Sequence, residues 1–205
     1  MPLKSRLLTS ALVAFTATVS AAQAIDTGVD QRTRWTIDGS KSDVRFTVTK
    51  LGFEDVTGIF HESEGTIEYD ADHPERSRIE WQIKVASVTT DATTRDRTLQ
   101  APEYFDAARH PNLSFVSQTV RPLTGGRLEV SGQITMRGVT RPLVTTVRVL
   151  TGGPSPRFET AFEVNRYDFG IAGGSVMGRL IGRTVRVRLV AAVVPDLTSD
   201  GRGAR

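Results

Sequence analysis

The sequence predicts an all-β protein: one antiparallel sheet system of about eight strands with a single short helical crossover. Three observations predict it. Apolar and polar residues alternate with a period of two along most of the chain. Turn chemistry separates the alternating runs, at Asp70 to Pro74, Gly125-Gly126 and Gly152-Gly153-Pro154. No Pro- or Ser-rich linker interrupts this spacing before Pro195, so nothing divides the 205 residues into separate domains.

Taken in order, DVRFTVT sets Val44, Phe46 and Val48 on one face and Asp43, Arg45, Thr47 and Thr49 on the other, the pattern of a half-buried strand. A weaker version spans Thr66 to Tyr69. Ile79, Trp81, Ile83 and Val85 then alternate with Glu80, Gln82 and Lys84. The stretch from Arg95 to Phe115 breaks the rhythm. Thr94 can cap a helix, Pro102 can start a second short turn, and Pro111 ends the segment before a strand from Leu113 to Val120. Further strands follow over Arg127 to Met136, Leu143 to Leu150, Phe158 to Val164 and Val185 to Ala191.

The amino terminus reads as a leader rather than as part of the core. Lys4 and Arg6 precede an apolar run from Leu7 to Val19, and Ala22-Gln23-Ala24 fits a small-x-small cleavage site. The run is too short to span a bilayer comfortably. The expected organisation is a cleaved signal peptide over 1–24, a domain over 25–195 and a polar tail over 196–205, with export. Removing Lys4 and Arg6 lowers the formal net charge from +3 to +1. The remaining basic residues are interspersed with acids, whereas tracking a phosphate backbone needs a clustered basic face, so nucleic acid is not an expected partner. The absence of cysteine excludes disulfides, thiolate nucleophiles and Cys-ligated metal centres.

The chemical motifs are weak. Gly173-Gly174-Ser175-Val176-Met177-Gly178 lacks the glycine that a nucleophile elbow needs two residues after its serine. His61, His73 and His110 show no metal-ligand spacing, so no metal is expected. Asp96, Glu103 and Asp106 lie among Arg95, Arg97 and Arg109, whose charges oppose the raised pKa that a general acid requires. Ion-paired ends of the crossover are the expected structure there, with Leu99, Tyr104 and Phe105 turned inward and the charges in water.

Six stretches in this order, WTIDGSKSDVRFTV, LGFEDVTGIF, TTRDRTLQAPEYFD, HPNLSF, ITMRGVTRPL and FEVNRYDFGI, resemble the YceI-like family of periplasmic polyisoprenoid-binding proteins. The resemblance covers about Trp35 to Val194. It implies a lipocalin-like antiparallel β-barrel crossed by a short helical segment, holding a long isoprenoid or quinone-like lipid inside, with no cofactor and no catalysis. Arg95-Asp96 with Leu99, and Phe105-Asp106, match the family's crossover. Arg137 to Pro142 match its turn between strands, and Asn165-Arg166 with Asp168-Phe169-Gly170 its late strand end. One departure is that Gly182-Arg183-Thr184-Val185 is basic where many members carry Gly-Asp-Glu-Val.

Alternation and resemblance together nominate Phe46, Val48, Phe60, Trp81, Ile83, Leu99, Phe105, Phe115 and Phe162 as ligand-lining residues. Alternation alone is compatible with either a filled core or a cavity. Besides a lipid carrier, the sequence allows an enzyme acting on such a lipid through the carboxylates and arginines of the crossover, or a barrel with a solid core. Transient membrane contact fits a lipid carrier. Oligomeric state is left open, a homodimer included.

Overall fold

The computed structural model describes residues 33–196, with 71, 154 and 175 excepted. The leader expected over 1–24, the domain start at Ile25, Ser175 and the tail from 197 onward lie outside the described residues. Eight strands run antiparallel, each beside the next, and the last returns to the first. They are β1 (Thr33–Ile37, continued as Asp43–Lys50), β2 (Glu54–Phe60, continued as Ser63–Tyr69) and β3 (Arg78–Lys84, continued after a 3-10 turn as Val88–Thr89). The helix α1 (Thr93–Gln100) and an irregular segment to Pro111 lead to β4 (Asn112–Leu123). Then come β5 (Arg127–Met136), β6 (Val139–Leu150), β7 (Arg157–Asn165) and β8 (Ile181–Pro195).

Closure rests on β8. One edge pairs Thr184 to Ala192 with β7. The other pairs Ile181 to Val190 with Lys50 to Asp43, and Val193 to Pro195 with Ile37 to Trp35. The break in β1 does not open this seam, because Asp38 N–H donates to Ala192 O at 2.9 Å and Ala192 N–H donates to the Ser42 hydroxyl at 3.1 Å. A side-chain oxygen thus takes the place of a missing backbone acceptor. Beyond the last strand residue, Asp196 N–H donates to Arg34 O and its carboxylate meets Arg34 Nε at 3.2 Å. Asp196, expected to begin a free tail, is therefore held.

The breaks in β2 and β3 lie side by side and let the sheet bend where it must wrap. Glu62 N–H donates to the Ser87 hydroxyl, Lys84 N–H to Glu62 O, and the buried Val85 N–H to Pro111 O at 2.8 Å. In β4 a bulge between Ser117 and Thr119 adds curvature, and the Ser117 hydroxyl accepts from Ile79 N–H at 2.8 Å.

The two ends of the barrel differ. At the end that holds Thr33 and Asp196, the side chains of Ile37, Val120, Leu128 and Val193 are buried, and Tyr69 meets the Phe158 ring edge-on at 5.8 Å. At the other end the crossover, the Met136–Val139 hairpin and the segment between β7 and β8 are joined. Arg137 and Gly138 both have positive φ, as a two-residue type I′ hairpin requires. The Arg137 guanidinium donates to Pro102 O at 2.8 Å and to Gly170 O, tying all three segments together. Arg166, 5% exposed, donates to Ile171 O at 2.5 Å, Gly178 O at 2.6 Å, and Gly182 O and Ile181 O at 2.9 Å.

The crossover departs from expectation in detail. Ala92, not Thr94, holds the N-cap position and gives no side-chain cap; Thr94 lies within the first turn, where its carbonyl accepts from the Thr98 hydroxyl. Asn112–Leu123 extends beyond the expected strand, while Thr33–Ile37 and Glu54–Phe60 are strand segments that alternation did not single out.

Two stability differences follow from these contacts. A Cβ at Gly132 would stand 2.3 Å from Val116 O and 2.7 Å from the Phe115 ring, so Gly132→Ala is expected to cost about 1–3 kcal/mol in urea unfolding. Gly153→Ala, with only Ser155 O near at 3.7 Å, should change stability by less than about 0.5 kcal/mol. Arg166→Met strips the donors from four carbonyls, at least about 4 kcal/mol at roughly 1 or more for each acceptor. Arg166→Lys should restore only part of this, because an ammonium lacks the planar fork that reaches several acceptors.

Candidate functional site

Inward residues of all eight strands enclose a cavity of about 540 Å³, within the roughly 300–1,000 Å³ common for ligand pockets. It is long. Its wall on β8 runs from Ile181 through Val185, Val187 and Leu189 to Ala191, a path of about 33 Å at the rise of an extended strand. Ile37, Tyr69, Val120, Leu128 and Val193 are not part of that wall; they fill the barrel beyond its inner end.

The structure places all nine nominated residues, Phe46, Val48, Phe60, Trp81, Ile83, Leu99, Phe105, Phe115 and Phe162, in the wall of this one cavity. Period-two alternation delivers those on strands, since every second side chain of a barrel strand points inward. Leu99 and Phe105 come from the crossover. Phe105 packs edge-on against Phe46 at 6.5 Å and Phe60 at 5.8 Å between ring centres, which pins the crossover to β1 and β2. Gly58 makes room for this cluster, because a Cβ there would lie 2.3 Å from the Phe46 ring.

Sequence reasoning missed other wall residues. Val56 sits on a strand whose alternation Gly58 interrupts, and Val164, Val185, Val187 and Leu189 belong to recognised strands but were not singled out. Thr145 and Thr160 bring hydroxyls into the wall, yet these bond to each other at 2.7 Å and Thr160 also donates to Thr146 O. The Trp81 indole N–H is buried without a hydrogen-bond partner.

The charged groups of the crossover are arranged differently from the expected ion pairs. Arg95 turns toward the cavity wall instead of water, donating from Nε to the Thr90 hydroxyl at 2.8 Å and from its terminal nitrogen to Thr90 O. That hydroxyl donates in turn to Asp96 at 2.6 Å. Arg95 and Asp96 are thus joined through buried Thr90 rather than to each other. Asp106 meets Arg109 only at 3.9 Å, and no ion pair involves Glu103 among the described residues. His61 contacts Thr89, His73 contacts Glu75, and His110 lies against Gly138, three separate places.

At the cavity's open end Lys50 pairs with Glu54 at 3.3 Å and Arg186 with Asp55 at 2.6 Å. The Thr49 hydroxyl, with help from the Arg186 charge, holds the Asp55 carboxyl below the usual carboxylate range. Arg183 lies over the Tyr167 ring at 5.1 Å. Chemically, the arrangement offers an apolar tube, a few hydroxyls already engaged, and basic groups near one end.

Comparison with known proteins places this geometry in context. The YceI-like domain matches residues 35–193. A UPF0312 protein of Pseudomonas savastanoi pv. phaseolicola is 32% identical over 172 residues, covering 80% of this chain and 86% of the relative. Among solved structures, Burkholderia cenocepacia BcnA superposes with a TM-score of 0.72 at 20% identity, over 77% of this chain and 99% of that one. A polyisoprenoid-binding domain from Saccharophagus degradans, implicated in plant cell wall breakdown, gives 0.63 at 17% identity over 80% and 99%. These two likenesses concern the fold. With the family match spanning nearly the whole barrel, from Trp35 to Val193, the chain belongs to the YceI-like family.

Proposed function

We propose that this protein binds a long-chain isoprenoid or quinone-like lipid in its barrel and carries or stores it in the periplasm, without chemical turnover. The observation that carries this reading is the long apolar cavity, in whose wall the Thr145 and Thr160 hydroxyls are hydrogen-bonded to each other and to backbone. Such a wall suits a hydrocarbon guest and leaves a polar group few partners, the Trp81 indole N–H among them. The polyisoprenoid-binding neighbour and the family match support the same ligand class. The apolar run and cleavage pattern before Ile25 support the location.

Energetics favour exchange over trapping. Burying one five-carbon isoprene unit from water is worth up to about 4 kcal/mol at roughly 0.8 per carbon. About eight units would give roughly 30 kcal/mol on that scale, beyond the roughly 20 at which affinities saturate. Water is therefore the wrong reference. The lipid otherwise resides in a membrane, where its tail is already dry, so transfer of the tail is close to neutral. Shape and the polar end of the guest set the small net preference. The crossover supports binding over catalysis in the same way: Arg95 and Asp96 are both committed to Thr90.

Native mass spectrometry of freshly purified protein is expected to show bound lipid of isoprenoid mass. Phe162→Asp and Trp81→Arg put a charge in the wall and should lower occupancy at least about tenfold while far-UV circular dichroism stays that of a folded barrel. Val187→Phe, which only narrows the cavity, should shift the bound population to shorter chains. Asp96→Asn should keep its lipid. Folded Phe162→Asp protein with native occupancy overturns the reading, as does lipid-free native protein.

A further inference from the structure

The exposed apolar residues of the barrel are not spread evenly. Three of them meet at the cavity mouth: Phe53 at 80% exposed, Leu51 at 46% and Leu180 at 40%. Leu51 and Phe53 form the β1–β2 turn with Gly52 between them, and Leu51 N–H donates to Leu180 O at 2.8 Å, so the two segments make one tip. Wall residues Lys50, Val56 and Ile181 lie immediately beside this tip, which therefore stands on the rim and not on the barrel side.

Leu51 holds φ at +54°, a left-handed conformation that bulky residues adopt rarely. Backbone of this kind persists where the surroundings hold it; here Phe53 N–H closes the turn on Lys50 O at 3.2 Å and Leu51 N–H is tied to Leu180 O, while both side chains stay exposed. The charges beside this tip favour cations. Glu54 and Asp55 are neutralised by Lys50 and Arg186, while Arg179 and Arg183 have no ion pair among the described residues. A greasy tip flanked by two guanidiniums without an ion pair, Arg179 and Arg183, the latter over the Tyr167 ring, complements an anionic bilayer surface: apolar side chains enter the acyl boundary and cations meet headgroups.

We propose that the Leu51-Gly52-Phe53 turn and Leu180 dock the cavity mouth onto an anionic phospholipid membrane, with Arg179 and Arg183 reading its charge. This rests on the carrier reading, and it gives that reading a route: with the mouth on the bilayer, the lipid passes between two dry environments and its tail avoids water.

Sedimentation with extruded vesicles tests it, using phosphatidylglycerol mixed into phosphatidylethanolamine and, separately, phosphatidylcholine alone. Native protein should partition to the anionic vesicles and barely to the zwitterionic ones. Phe53→Ser should reduce anionic partitioning about tenfold or more. Arg179→Glu with Arg183→Glu should reduce it about 25-fold or more, each lost cation counting roughly fivefold. Val144→Ser, at a 62% exposed position on β6, should change nothing. In Phe53→Trp protein, brominated acyl chains should quench the new fluorophore on vesicle addition.

Native-level partitioning by Phe53→Ser overturns the proposal, as does an equal loss in Val144→Ser, equal binding to both vesicle types, or a fluorophore left unquenched in the Phe53→Trp protein. Bound lipid measured on the same preparations separates the two readings. Docking by a barrel that never carries lipid retains the docking site and defeats the carrier, and lipid-filled protein that ignores vesicles does the reverse.

Discussion

Everything in this molecule depends on the seam between β1 and β8. An eight-stranded antiparallel sheet left open would present two edges of unpaired N–H and C=O groups and would flatten enough to expose its apolar face. The pairing of β8 along both pieces of β1 removes those edges and turns the face into an interior. The seam tolerates a five-residue break at Asp38 to Ser42 because Asp38 and Ser42 supply the donor and acceptor that Ala192 needs. The same loop is held locally: the Ser40 hydroxyl and Lys41 keep the Asp38 carboxyl ionised below its usual range, with the loop's own carbonyl tied to Ser42.

Given closure, the barrel's two ends divide the work. One end is filled by side chains from every layer, and burial there raises the Tyr69 phenol above its ordinary pKa, with the nearby Asp70 adding to the effect. The other end is kept open by loops that brace one another rather than fall inward. Arg137 spans two of them and Arg166 gathers two carbonyls of the β7–β8 segment and two at the start of β8, so neither arginine needs a carboxylate. Guanidiniums satisfied by backbone oxygens, buried at Arg166 and half-buried at Arg137, act as struts with a net positive charge. The lining between the ends is left to aliphatic and aromatic side chains, which is the condition for a vacancy that water does not stabilise.

How much of this was legible in the sequence follows from which forces leave a local trace. Alternation leaves one, because burial of one sheet face repeats every second residue; hence Phe46, Val48, Trp81, Ile83, Phe115 and Phe162 could be assigned an inward side without coordinates. Glu54–Phe60 left little trace, since its middle inward position is Gly58, emptied to admit the Phe46 ring. Thr33–Ile37 was too short to show a period. The partners of Arg95 and Asp96 were misassigned for a related reason: opposite charges close in sequence suggest pairing, whereas their shared partner, Thr90, lies outside the helix and carries no charge. Closure itself and the size of the vacancy are properties of all strands at once, and no window of residues encodes them. The resemblance to a family supplied what the local pattern could not.

An apolar tube has an inherent weakness as a recognition device, and the fold addresses it by geography. Hydrocarbon walls cannot tell one greasy chain from another by more than length and girth, because each added carbon contributes the same increment. Discrimination must therefore sit where polarity is available, and in this barrel polar groups concentrate at the end where Lys50, Arg95, Arg166 and Arg183 approach the cavity or its rim. Arg95 and Arg166 have their donors turned to the protein, so their effect on a guest is through charge, which reaches farther than a hydrogen bond and tolerates headgroups of different shape. For the proposed lipid guest, that combination is general for the tail and graded for the head, with the graded part at the open end.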